Sequence, residues 1–256
     1  MNICVDVGNS TIVFGFYENN LLLGRMLFNT DINLTKPKFY RVFHHRYRES
    51  GLEYDHEVKS IIYSSVVPQI DDVVVSSLKE MFNIEPLLIN ENTKTDLVVD
   101  VDQPSEIGDD LIADLVGAKE KYGYPCLIAD LGTASKILLL DKEGVFASCL
   151  IMPGLTLSAK SLSDKAALLP HTALNVPSSV LAKNTESAMN AGIIFGHADM
   201  ISGLINRYEK EIGYPCQHIL TGGGAEYVKK ILGDGFIYDR DLNTDGLNII
   251  INKNSK

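Results

Sequence analysis

At 256 residues, 45% of them hydrophobic, the chain is long enough to fold as two lobes of ordinary domain size, each around its own core. Its formal net charge of −10 argues against nucleic acid, which draws on a basic face, and leaves room for a small phosphate-bearing ligand held by amides and local cations. No apolar run approaches the ~18 residues of a membrane-spanning helix, and Asp6 interrupts what would be a leader's apolar region, so a soluble, cytoplasmic protein without membrane contact is expected.

The chain opens on a strand that carries an acid, NICVDV, and then turns through Gly8-Asn9-Ser10-Thr11. A carboxylate among Val and Ile is costly unless a cation or a hydrogen-bond donor meets it, so Asp6 calls for a partner. The small turn residues let backbone amides face a ligand. Apolar stretches at 12–17 and 21–28 complete a three-stranded antiparallel meander. Residues 29–58, polar and rich in Lys, Arg and His, read as an exposed helix or long loop. A buried strand at 60–67, an amphipathic helix at about 69–81, a short strand at 86–89 and a helix at 109–122 follow. Gly123-Tyr124-Pro125 then marks a boundary, which predicts lobes of 1–122 and 123–256.

Past that boundary the opening recurs as CLIADLGTAS, and one shift along the chain carries Asp6 onto Asp130, Gly8 onto Gly132 and Thr11 onto Ser135. Strands at 136–140 and 145–152 repeat the meander. Helices at 155–164 and 185–212 come next, then a strand at 218–221, the turn Gly222-Gly223-Gly224, a helix from Ala225, a strand at 236–238 and a last helix at 242–251. Two matching copies imply a duplicated α/β domain, each lobe a mixed sheet with helices packed on it. Cys4, Cys126, Cys149 and Cys216 are dispersed without a C-x-x-C pair, as expected for reduced core residues.

Two D-x-G turns suit phosphoryl transfer. Backbone N–H groups can hold phosphate oxygens while each Asp holds a cation or its bound water, and that chemistry is mostly positioning and charge neutralisation. The chain has neither G-x-x-x-x-G-K-[ST] nor a G-x-G-x-x-G after a strand. The triple glycine could let the chain pass close to a base or ribose, or simply turn.

These motifs resemble the type III pantothenate kinases of the acetate kinase, sugar kinase, Hsc70 and actin superfamily. DVGNST, SSVVP, the P-x-x-x-G-x-D of Pro104 to Asp110, DLGTAS, MPGL with LSAKSL, Lys183-Asn184-Thr185 and TGGGAE stand in the family's order. The resemblance implies duplicated actin-like (ribonuclease H-like) ATPase domains, each with a mixed five-stranded sheet, and transfer of phosphate from ATP to pantothenate. It implies that Asp6, Val7, Gly8, Asn9, Ser10, Thr11, Ile12 and Val13 hold the ATP phosphates, with Asp6 on Mg2+ or its waters, and that Thr133 bonds a phosphate. Asp130 would bind a monovalent cation, K+ or NH4+. Gly108, Asp109, Asp110 and Leu111 would line the pantothenate pocket with Asp110 as the base, and Thr185 would touch pantothenate across a homodimer interface, where the active site lies.

Structural roles compete with these. Asp109 and Asp110 precede an apolar-periodic helix and could cap it; the resemblance assigns Asp110 to chemistry and leaves Asp109 as the cap. Thr185 could be an N-cap, and His171 reads as a surface loop residue. The chain also departs from the family pattern. Leu111 replaces the Arg of G-A-D-R, Val101 a Tyr, Ser148-Cys149 a Gly-Gly, and Asp114 an Asn. Lys136 is a candidate substitute for the lost cation. The departures keep two other readings open: a catalytically weak nucleotide- or pantothenate-binding regulator, and a sugar kinase of the same superfamily.

Overall fold

The computed structural model describes residues 1–52 and 57–255. Along the chain run β1 (Asn2–Val7), β2 (Thr11–Glu18), β3 (Leu21–Asn29), α1 (Lys36–Glu49), β4 (Ser60–Ser65), α2 (Pro68–Phe82), β5 (Leu87–Leu88), β6 (Val98–Val99) and α3 (Asp109–Tyr122). Then come β7 (Cys126–Leu131), β8 (Ala134–Leu140), β9 (Val145–Pro153), α4 (Leu155–Lys165), α5 (Thr185–Ile212), β10 (Gln217–Thr221), α6 (Ala225–Leu232), β11 (Ile237–Tyr238) and α7 (Leu242–Asn254). Two compact units result: Met1–Leu97, Asp102–Lys121 and Asp241–Lys256 form the first, Val98–Val101 and Tyr122–Arg240 the second. This division differs from lobes of 1–122 and 123–256, because the last helix belongs to the first unit and Val98–Val101 to the second.

In the first unit the sheet runs β3-β2-β1-β4-β5, an antiparallel meander extended by two parallel strands. Alternation along β1 sends Ile3, Val5 and Val7 into a core shared with α1 and α2. Cys4 faces the opposite core, with Ala113 and Val116 of α3 and Leu247 and Ile250 of α7. Asp6 has the parity of Cys4, so its carboxylate stands on the α3 side of the strand's end.

Helix α1 corrects the expectation of an exposed 29–58 segment, of which residues 53–56 lie outside the described residues. Phe39, Phe43 and Tyr47 recur every fourth position and are buried, and only the remaining face carries the basic residues Arg46 and Arg48. Phe43 meets Phe14 edge-on at 5.4 Å, and Tyr47 meets Phe16 likewise at 5.4 Å.

Helix α7 joins the first unit through its small and amide residues. A Cβ on Gly246 would lie 1.9 Å from the Ala113 carbonyl oxygen, so α3 and α7 cross backbone to backbone, which only glycine permits. Asp245 accepts a 2.7 Å hydrogen bond from the Tyr17 hydroxyl, and Asn248 Nδ2 donates to the Asn19 carbonyl at 2.8 Å, which seats α7 against the β1–β2 hairpin.

The second unit's sheet runs β11-β10-β7-β8-β9-β6. It has six strands rather than five, because β6 adds parallel to the edge of β9. Leu127, Ala129 and Leu131 of β7 pack with Leu155, Ala159, Ile194, Ile201 and Val228 from α4, α5 and α6. Helix α5, at 28 residues, is long and apolar enough to cross a membrane, but Ile194, Ala198, Ile201 and Ile205 place one face of it in this core. The two meanders differ at their first turns. Val7 pairs with Ile12 around residues 8–11, whereas Leu131 pairs with Ser135 around residues 132–134. By strand pairing, Lys136 therefore matches Val13, one position off the simple sequence shift.

Candidate active site

The first unit brings together Asp6, the 8–11 turn and the start of α3 around the end of β4. Gly8 N–H closes the turn on the Thr11 carbonyl at 2.9 Å. Thr30 then clasps it from the end of β3, its Oγ1 donating to the Gly8 carbonyl at 2.6 Å and its N–H to the Ser10 carbonyl at 3.0 Å. With three carbonyls turned to the protein, Asn9 and Ser10 stand exposed at the tip. Val7 and Ile12 point into the core, so they can serve a ligand only through backbone, and Val13 sits across from Asp6. Ser64 Oγ donates to Asp6 Oδ1 at 3.1 Å, supplying one of the partners this carboxylate needs. A hard-cation oxygen ligand beside a phosphate-sized turn fits Mg2+ held through water.

Strand β4 also reaches the base segment. Val66 N–H donates to the Val7 carbonyl at 3.0 Å, and Val66 lies next to Gly108. Helix α3 begins on the Gly108 carbonyl, which accepts from Leu111 N–H at 3.0 Å and Ile112 N–H at 3.2 Å. A Cβ on Gly108 would lie 2.5 Å from Asp110 Oδ1, so glycine here lets the Asp110 carboxylate fold back over the helix start. Asp109 is more than a cap: its carboxylate takes a hydrogen bond from the Ser65 backbone. Burial first, then the neighbouring Asp110 and Asp71 carboxylates, push it up to about 6. Asp71 is itself fixed by the Tyr63 hydroxyl at 2.7 Å and Ser65 Oγ at 2.6 Å. Asn243 of α7 steadies the helix, donating to the Asp110 carbonyl at 3.1 Å and to buried Asp114 at 3.2 Å. Leu111 is half-buried and brings no charge. Thr30, Ser64, Asp71 and Asn243 were not singled out from the sequence; the only signal was the polar run within SSVVPQID.

In the second unit, Asp130 and Lys136 are directly opposite on β7 and β8, and Lys136 Nζ lies 2.8 Å from Asp130 Oδ2. Their side chains are 14% and 13% exposed. Lys136, the candidate substitute for the arginine that Leu111 replaces, is thus paired with Asp130. The carboxylate expected to hold K+ or NH4+ has a cationic partner of its own in the chain. Gly222, at φ +84°, leaves no room for a Cβ, which would lie 2.5 Å from Asp130 Oδ1. Gly224 N–H bonds the Leu131 carbonyl at 2.7 Å. The triple glycine therefore wraps the acid-bearing strand end. Thr133 is exposed at the tip of the 132–134 turn, and its carbonyl accepts from Gly154 N–H at 3.0 Å.

Thr185 is not the N-cap of α5. Asn184 is, accepting from Ser187 N–H at 2.8 Å in a reciprocal capping box, which leaves Thr185 exposed in the first turn. A cavity of about 510 Å³ lies at this helix start, lined by Asn175, Pro177, Lys183, Asn184 and Asn190 among others.

A mixed sheet opened by an acid-bearing hairpin, made twice, defines a duplicated α/β protein. Solved structures agree at the level of fold. A conserved putative Baf family transcriptional activator from Campylobacter jejuni superimposes with a TM-score of 0.60 at 19% identity, covering 98% of both chains. The activator of the 2-hydroxyisocaproyl-CoA dehydratase from Clostridium difficile does so with a TM-score of 0.56 at 16% identity, covering 100% of this chain and 98% of that one. The family model for type III pantothenate kinase matches residues 2–207. A type III pantothenate kinase of Citrifermentans bemidjiense is 34% identical over 99% of this chain and 100% of its own length, and one of Bacillus cytotoxicus 32% identical over 98% and 95%. The chain belongs to the type III pantothenate kinase family, whose members are ATP-dependent kinases using the nucleotide with a divalent metal.

Proposed function

We propose that this chain transfers the γ-phosphoryl group of ATP to the primary hydroxyl of pantothenate, giving 4'-phosphopantothenate, the first step towards coenzyme A. The observation that carries the reading is the gathering of Asp6, the 8–11 turn and the Asp109–Asp110 helix start about one strand end, Ser64 to Val66. The backbone of 8–11 binds phosphate oxygens, with Thr133 bonding a phosphate from the second hairpin. Asp6 would hold Mg2+ through its waters, the ion supplying charge neutralisation on the phosphates. Asp110 accepts the hydroxyl proton as the new O–P bond forms and the bond to ADP breaks. An ordinary carboxylate near the attacking oxygen suffices for that task. Gly108, Asp109 and Leu111 line the pantothenate pocket, Leu111 as an apolar wall.

Thr185 touches pantothenate in a homodimer whose active site lies at the interface. Supporting this, the segment before α5 exposes Leu168, Val180 and Leu181 to 95%, 68% and 78%, apolar surface of the kind a partner copy covers. All four cysteines are free thiols, in keeping with a reducing cytoplasm.

The test is ATP turnover by the purified chain with Mg2+ and pantothenate, set against a panel of sugars, with mass by light scattering on the same preparation. ADP and 4'-phosphopantothenate forming only with pantothenate, from a particle of twice the 28.2 kDa chain mass, is expected. Turnover with a sugar instead, or ATP binding without turnover, overturns the kinase reading; a monomer overturns the shared site.

A further inference from the structure

The second hairpin pairs its acid with a lysine directly across the strands. Asp6 lies across from Val13, an apolar neighbour, whereas Asp130 lies across from Lys136. The shorter turn at 132–134 sets that register, and cross-strand partners share one face of the sheet, so the lysine is delivered to the carboxylate by the fold itself. Nζ to Oδ2 is 2.8 Å, with both side chains about seven-eighths covered. The other oxygen, Oδ1, is packed against the backbone of Gly222. One oxygen of Asp130 is thus paired with the ammonium and the other is crowded by the glycine turn.

A bare carboxylate beside a loop that receives phosphate groups would repel them, and a compact monovalent cation on it removes the repulsion. The lysine head is itself a compact ammonium with three donors. Carried on the chain, it is present before ligand arrives and needs no ion to be captured from solution.

We propose that Lys136 is this chain's built-in monovalent cation: its ammonium neutralises Asp130 in place of a bound K+ or NH4+, and the protein is thereby independent of added potassium. The inference rests on the kinase reading for its effect on turnover, but not for its effect on ion binding.

The experiment compares the full chain and Lys136→Gln in tetramethylammonium chloride, KCl and NH4Cl at equal ionic strength, so that general screening cancels. The wild-type melting temperature should be the same in all three salts. Lys136→Gln, with its carboxylate vacated, should gain a rise of about 2–4 °C specific to K+ or NH4+, the shift expected from a ligand near ten times its Kd on a chain of this size. Pantothenate-dependent turnover of the wild type should be unchanged by KCl, and that of Lys136→Gln should become KCl-dependent. A K+-specific rise in wild-type melting temperature, a wild-type rate that climbs with KCl, or a folded Lys136→Gln indifferent to both ions overturns the proposal. If Lys136→Gln does not fold, the wild-type comparison decides alone. Absence of turnover in every salt sinks the kinase reading and leaves the melting comparison to judge the lysine.

Discussion

Two acids at matching strand ends are set apart by what stands across from each. Val13, across from Asp6, carries no charge, and Ser64 donates to that carboxylate, while Lys136 gives Asp130 a fixed cationic partner. The acids themselves were legible, because a carboxylate in a Val- and Ile-rich strand has to be explained. Their different partners were not, since partnership depends on a turn one residue shorter, which shifts register invisibly in the sequence. Asp109 opens α3, as its place before an apolar-periodic helix predicts, and it also lies against Ser65, Asp71 and Asp110. Raised from the usual 3.8 to about 6, it binds its proton more tightly in the folded chain than in the unfolded one. Its effect therefore favours folding at low pH and is lost as pH rises from about 4 through about 6. Asp109→Asn should be more stable than wild type at pH 7, by about 1 kcal/mol after discounting for solvent screening of a half-buried group. The gain should vanish below pH 4; urea midpoints at the two pH values check it, and equal midpoints at pH 7 would refute it.

At the scale of elements, strong periodicity was read well and weak or composite signals were not. Helix α5 shows its 28 residues plainly, and the meanders show period-two alternation between turn residues. Helix α1 was obscured by its own polar face: three aromatics four apart carry the core contact, while eight of the other eleven positions carry Lys, Arg, His or Glu. Its packing makes a stability prediction. Phe39, fully buried against Phe14, Phe28 and Phe43, should cost about 3–5 kcal/mol on truncation to Ala, by lost transfer energy plus the cavity left behind. Chemical denaturation measures this, and a loss under about 1 kcal/mol would show that α1 is not part of the core. Strand β6 could not be read at all, because two residues have no period and only pairing with β9 makes them a strand.

Over the whole molecule, the internal repeat revealed a duplicated α/β architecture but not which residues build each unit. The repeat gives no hint that α7 returns to the first unit, because that choice is made by Gly246 meeting Ala113 and by amides that cap the β1–β2 hairpin. The return has a functional side, since Asn243 on α7 holds the helix that presents Asp110. The most direct test of the account is the steady-state kinetics of Asp110→Asn with pantothenate as acceptor, alongside its melting curve. The predicted result is a kcat lower by roughly 10²–10⁴-fold, the usual worth of a positioned general base, with the melting curve that of a folded protein. An Asp110→Asn enzyme that folds and phosphorylates pantothenate at the wild-type rate would contradict it.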